Sequence, residues 1–177
     1  MQININPKTL TVAKKWVSPT VLEVSLVIAE ITKRYKLTDS ELPLLIGMSD
    51  RTIRRWKNKV DENPSAESTI PYSEWCKLIL LATDEMIFGG ILDCDVSLIP
   101  SHIITNAANF KGVTKADMMK FIGKTSITKL TRINLAKIFK WNSVYLGRVI
   151  SQDSVTFSTV AMILILCGIP KEKVFYV

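Results

Sequence analysis

The sequence predicts an all-α chain built as two helical bundles. Three observations carry this. Apolar residues recur at steps of three and four in segment after segment, which is the spacing of one helix face. Seven glycines and seven prolines in 177 residues, with abundant Leu, Ile and Lys, favour helices over a sandwich or barrel. Ser, Thr or Asn stands ahead of several apolar runs, where a helix N-cap belongs. Apolar residues make up 47% of the chain, enough for a real core. The length fits one domain or two of roughly 80 residues each.

The elements follow in order. Residues 1–16 read as irregular or extended, because Pro7 and the alternating QININ oppose a helix start; Lys14 and Lys15 are a basic arm or a solvated tail. Residues 20–35 read as a helix with Val21, Val24, Val27, Ile28 and Ile31 on one stripe. In LTDSELPLLIG, residues 37–47, Thr38 and Glu41 have capping-box spacing and Leu37 with Leu42 the spacing of a hydrophobic staple. Pro43 is awkward five residues into such a helix but tolerable in the first turn if Ser40 is the cap. Gly47 suits a left-handed helix end, and Ser49 caps the next helix with Asp50 at its positive end. There Ile53, Trp56 and Val60 repeat at three and four, with Arg51, Arg54, Arg55, Lys57 and Lys59 on the other faces. DENPSAEST, residues 61–69, is a loop, and Pro71 opens a fourth helix with Trp75, Leu78, Ile79 and Ala82 on one face. Two helices joined by a short Gly-containing turn are the sequence form of a helix-turn-helix.

Residues 86–112 break this rhythm with Gly89, Gly90 and Pro100, and read as a packed linker in which SHIITNAANF forms a short helix. The pattern then returns. With an offset of 93, LPLLIGMSDRTIRRW lies over LAKIFKWNSVYLGRV without a gap. Leu42 meets Leu135, Ile46 meets Phe139, Ser49 meets Asn142, Ile53 meets Leu146 and Trp56 meets Val149. Upstream, TKADMMKFIG supplies a first helix; downstream, Val160, Ile163, Leu164 and Cys167 make the stripe of a last one, stopped by Gly168 and Pro170. The organisation read here is a unit over 1–85, a linker over 86–112 and a second, diverged unit over 113–177, with four to five helices in each unit.

Charge is unevenly placed. Residues 1–60 hold eleven Lys/Arg and five Asp/Glu, residues 61–95 one Lys and eight acids, and residues 111–148 nine Lys/Arg and one acid. Between Ser49 and Lys59 five basic groups face one acid. An ordinary solvated helix mixes both signs, so this helix points to a polyanion. In the block 111–148 the cations are mostly Lys and spread over several elements, so DNA contact, solubility and dimer packing all remain open there.

The stretch LTDSELPLLIGMSDRTIRRWKNKV, followed by IPYSEWCKLILLA, resembles the DNA-binding domain of the Cro and phage-repressor family of helix-turn-helix proteins. The resemblance covers about residues 20–85 and rests on Thr38, Glu41, Leu45, Gly47, Ser49, Ile53, Trp56 and the helix after Pro71; Pro43 departs from it. It implies that the helix 49–59 enters the major groove of double-stranded DNA. Asp50, Arg51 and Arg55 would then face base edges, with Thr52 at a base or phosphate. Thr38 and Asp39 would lie near the backbone, and Lys57, Asn58 and Lys59 on phosphates. Ser49 and Arg54 complete the implied contact set. In the weaker copy, Asn142, Ser143, Val144, Tyr145 and Arg148 fall in the corresponding region. The chemistry agrees: Arg grips guanine O6 and N7 with two parallel bonds, whereas Lys and helix N-termini hold phosphates without reading sequence.

Enzymatic chemistry finds little support. The one histidine, His102, lies in an apolar segment and reads as structural or surface; Asp93 and Asp95 do not pair; no phosphate loop, HExxH or nucleophile elbow occurs. Cys76, Cys94 and Cys167 are far apart without metal spacing and read as reduced thiols. Trp16, Trp56, Trp75 and Trp141 lie on apolar stripes and read as core. No apolar leader is visible, and the run Val160–Ile169 is too short to span a bilayer. The expectation is a soluble, cytoplasmic, bacterial or phage- or plasmid-encoded protein, nucleoid-associated when bound. It is read as a sequence-specific double-stranded-DNA-binding transcriptional regulator of repressor type, needing no cofactor or metal and having no catalytic activity. The second unit either reads a second, unlike half-site or makes a homodimer. The alternative is a DNA-binding antitoxin or anti-repressor-like protein whose second half binds a protein partner. An RNA regulator fits less well, because the narrow major groove of A-form RNA excludes such a helix.

Overall fold

The computed structural model describes residues 4–38, 40–58 and 60–175. The chain is all-α: among the described residues helices follow one another without a sheet, and one isolated bridge joins Thr20 and Glu67. It divides into two compact units, Met1–Gly89 and Gly90–Val177.

The first unit holds α1 (Val21–Arg34), α2 (Glu41–Ile46), α3 (Asp50–Trp56) and α4 (Tyr72–Thr83). A reciprocal cap starts α1: Thr20 Oγ1 accepts from the Glu23 N–H at 3.2 Å and Glu23 Oε2 accepts from the Thr20 N–H at 2.7 Å. The other Glu23 oxygen accepts from the Asn6 N–H at 2.7 Å and anchors the N-terminal segment. The stripe Val21, Val24, Val27, Ile28 and Ile31 is buried and packs on α4. Each such side chain contributes roughly 1.5–3 kcal/mol by leaving water.

α4 is buried along its whole length, from Tyr72 to Ala82, not on one face only. Its second side is covered by the N-terminal segment, which is not wholly irregular: Pro7 opens a 3-10 helix, Pro7–Leu10, capped by the Asn6 side chain, because a first-turn proline needs no N–H partner. Trp75 Nε1 donates to the Thr9 carbonyl at 2.8 Å, Tyr72 Oη donates to Thr11 and Ile87 carbonyls at 3.1 Å, and Trp16 meets the Tyr72 ring edge-on at 5.2 Å. α4 therefore lies between α1 and the N-terminal segment. It also buries a charge. Lys77 is fully buried; its ammonium lies 2.6 Å from Glu74 and donates to the Ile46 carbonyl at 2.8 Å. Burial holds the Lys77 pKa below its ordinary value, against the pull of Glu74.

The second unit begins with residues 90–112, which run against its last long helix. The Leu92 N–H donates to the Leu166 carbonyl at 2.8 Å, and Ile99 and Ile103 are buried. Within SHIITNAANF only Ser101–Ile103 is helical, as a short 3-10 helix, and the rest is turns and loop. Asn106 Oδ1 takes the Asn109 N–H at 2.9 Å, so a side chain competes for a bond that a helix would need. Then come α5 (Lys115–Phe121), α6 (Arg132–Ile138), α7 (Ser143–Ser151), α8 (Phe157–Leu166) and α9 (Lys171–Phe175). Thr114 and Asp117 cap α5 reciprocally. Burial works to raise the Asp117 carboxyl, but hydrogen bonds from Thr114, His102 and Lys120 together bring it down to about 2. α8 is apolar and buried all round apart from Thr159, the counterpart of α4 as central helix.

The two units share their local bonding at an offset of 93. Gly47 ends α2 at φ 66°, and Lys140 ends α6 at φ 52°. The Met48 N–H then returns to the Pro43 carbonyl at 3.1 Å, and the Trp141 N–H to the Ala136 carbonyl at 2.9 Å. Each is the six-to-one bond of a Schellman turn. Lys36 and Lys129, also 93 apart, have φ 53° and 55°.

Removing one member of the buried pair in α4 strands the other. Glu74→Ala is expected to cost about 3–5 kcal/mol by urea unfolding, and Glu74→Leu with Lys77→Met together far less than the sum of the single changes. Additive losses would mean that the two groups do not act as a pair.

Candidate nucleic-acid interface

α2 and α3 form the pair from which the basic helix projects. α2 begins later than a Thr38 cap would place it. Ser40 occupies the cap position without a side-chain bond, and Pro43 falls in the first turn, where its missing N–H costs nothing. Thr38 still contributes: its N–H and hydroxyl both donate to Glu41 Oε2 at 2.7 Å, and these bonds, the backbone one first, hold the Glu41 pKa below its ordinary value. Leu42 and Ile46 are buried beneath, and the turn at Gly47 and Met48 redirects the chain within three residues.

Ser49 starts α3. Its Oγ accepts from the Thr52 N–H at 3.2 Å and lies 2.8 Å from Thr52 Oγ1. Ile53 and Trp56 fasten the helix, with 3% and 0% of their surfaces exposed. The helix closes at Trp56, where the Lys57 N–H returns to the Ile53 and Arg54 carbonyls; Lys57 and Asn58 continue as turns. The Trp56 carbonyl is held by the buried Ser68 hydroxyl at 2.9 Å. So α4 grips the end of α2 through Lys77, and the loop before α4 grips the end of α3 through Ser68. Neither residue was singled out for this from sequence; Lys77 is visible there only as a cation three residues after Glu74 in an apolar helix.

Opposite the buried face, Arg51, Arg54, Arg55 and Asn58 are exposed and line a shallow depression together with Thr52. Asp50 and Arg54 form an exposed ion pair at 2.7 Å, one turn apart. Among the described residues neither Arg51 nor Arg55 enters an ion pair. Their ten N–H donors thus face solvent from a rigid helix. Lys57 is half-buried. Asp39 and Lys59 lie outside the described residues.

In the second unit, Asn142 caps α7 and its Oδ1 is occupied by the Val144 and Tyr145 N–H groups at 3.0 and 2.9 Å. Ser143 is half-buried, whereas Val144, Tyr145 and Arg148 are exposed. Leu146 and Ile150 fasten the helix. Ile150, and not the Val149 of an ungapped comparison, occupies the place of Trp56; a step of four instead of three keeps it on the same face. Two further residues shape this surface: a Cβ on Gly147 would collide with the Arg132 guanidinium, so the glycine leaves a notch that α6 fills with a cation.

Comparison with known proteins finds 33% identity over 91 residues with the transcriptional repressor protein KorC of Escherichia coli, spanning 50% of this chain and 94% of KorC. The chain belongs to the KorC family. KorC is thus close in length to one of the two units. No family model matches the chain, and no solved structure matches it. Among the described residues no group of His, Cys, Asp and Glu has a metal-binding arrangement. Nor is any helix among them long and apolar enough to cross a membrane. Cys76 and Cys167 are buried and Cys94 is half-buried, all as free thiols; burial pushes Cys76 up to about 12.

The Ser49 cap has a direct test. Ser49→Ala is expected to destabilise the protein by about 1 kcal/mol in urea unfolding, and Ser49→Asn to recover most of it. An unchanged midpoint for the alanine variant would remove Ser49 from the helix start.

Proposed function

We propose that the protein is a transcriptional regulator of the repressor type that binds double-stranded DNA in a sequence-specific way through α3. One observation carries this reading. α3 is fixed on one side by buried Ile53 and Trp56 and presents exposed Arg51 and Arg55 on the other. A guanidinium on a rigid helix matches guanine O6 and N7 in the B-DNA major groove, which is wide enough to admit a helix. Kinship with the repressor KorC supports the regulatory role. Arg51 and Arg55 read bases, with Thr52 beside them. Asp50 orients Arg54 through their ion pair. Lys57 and Asn58 at the helix end, with Thr38 ahead of α2, hold phosphates; the sequence pattern assigns Lys59 and Asp39 the same role. Ser49 is committed to the helix start, so its contribution is structural.

Selection of bound duplexes from a random pool tests this. The wild-type protein is expected to enrich one sequence. On it, Arg51→Ala and Arg55→Ala each lose about 1–3 kcal/mol and relax preference at one base pair. Lys57→Ala weakens binding to every sequence and lowers the slope of log K against log salt by roughly one. A protein that enriches nothing, or arginine variants that weaken all sequences equally, would overturn the reading.

A further inference from the structure

The second unit presents a helix pair bonded like the first but tipped with different chemistry. Ninety-three residues after Arg51, Thr52 and Arg55 stand Val144, Tyr145 and Arg148. Val144 is 76% exposed and Tyr145 54%, at the first turn of a helix that Asn142 caps and Leu146 and Ile150 fasten. Arg148 lies over the Tyr145 ring, 5.1 Å from its centroid, which brings the two side chains together. The stretch of chain that holds them carries one sign. From Met118 to Gln152 the sequence contains no Asp or Glu, and Arg132, Lys137 and Lys140 are exposed on or beside α6. Arg132 is held against α7 by the Gly147 notch, a position where an ordinary helix former would stabilise α7 by about 1 kcal/mol.

The charge decides what this face meets. A second copy paired face to face would bring the same cations against it and be repelled, whereas a polyanion is attracted. The apolar tip then decides what is read. In the major groove thymine carries a C5-methyl group that the other bases lack, and apolar side chains recognise it by contact. We propose that α7 is a second duplex-DNA reading element that recognises thymine methyl groups through Val144 and Tyr145. Arg132, Lys137 and Lys140 lie toward the phosphates. The preferred DNA of this chain then joins two unlike stretches, one read at guanine by Arg51 and Arg55 and one rich in A·T pairs read by α7. The proposal rests on the reading of α3 given above.

Replacement of thymine by deoxyuridine removes the methyl group and leaves base pairing intact. The full chain is titrated against its selected duplex with each thymine replaced in turn. Binding is expected to weaken about fourfold for each contacted methyl, the equivalent of one buried methylene. Val144→Ser combined with Tyr145→Ala, both at exposed positions, is expected to bind thymine and uracil duplexes alike while keeping the guanine preference. Arg51→Ala is expected to lose a guanine and keep the uracil effect. If a guanine preference dependent on Arg51 is present but uracil is silent at every position, α7 does not read methyls and the α3 reading survives. The proposal is equally overturned if the double variant retains the uracil effect, or changes only the mass of the protein in solution, which would make the face a protein-docking surface. A wild-type protein that selects no duplex overturns both readings.

Discussion

The first unit depends on one buried ammonium group. Lys77 projects from the central helix to the last carbonyl of α2, at the point where the chain turns into α3. A buried charge is costly unless it is paired and hydrogen-bonded, and Glu74 and the Ile46 carbonyl supply the ion pair and a hydrogen bond. The bond places the end of α2 relative to α4, and the Ser68 hydroxyl does the same for the end of α3. With both ends tied to one helix and its adjoining loop, Ile53 and Trp56 have a single way to pack. The arginine-bearing face can then only point outward. An apolar residue at position 77 would fill the space but leave the turn at Gly47 without this anchor.

Much of this was legible in the sequence, for identifiable reasons. Caps are local chemistry, so Ser49 and the stripe Val21 to Ile31 appear where the spacing puts them. Gly47 announces its left-handed turn because glycine is the residue that adopts one most readily. Its counterpart Lys140 adopts φ 52° with an ordinary side chain, and no residue type signals that; only the offset of 93 points to it. The full burial of α4 was hidden because the cover comes from the N-terminal segment holding Thr9, Thr11 and Trp16, whose packing no periodicity encodes. The shortness of the 3-10 helix at Ser101–Ile103 was hidden for the opposite reason: Asn106 and Asn109 offer the backbone side-chain partners that an apolar pattern does not register. Of the basic helix, the exposed side of Arg51 and Arg55 was legible. The end of α3 at Trp56 was not, because Lys57 and Asn58 are compatible with either a further helical turn or a loop.

The two units fasten corresponding helices in the same way and differ in what those helices expose. Ile53 and Trp56 in the first, and Leu146 and Ile150 in the second, do the same mechanical work at corresponding positions. The outward residues differ freely, because nothing in the core constrains them: Arg51 and Thr52 in one, Val144 and Tyr145 in the other. Function on this scaffold therefore lies in the side chains that packing leaves free.

The central claim is that α3 lies in the major groove with arginine on guanine. Methylation interference reads that contact at the atom concerned. If duplexes are sparsely methylated at guanine N7 before binding, the bound fraction is expected to lack methyl groups at the guanines facing Arg51 and Arg55. The Arg51→Ala protein should tolerate a methyl group at one of those sites. Interference confined to adenine N3 in the minor groove, or none at all, would contradict the account.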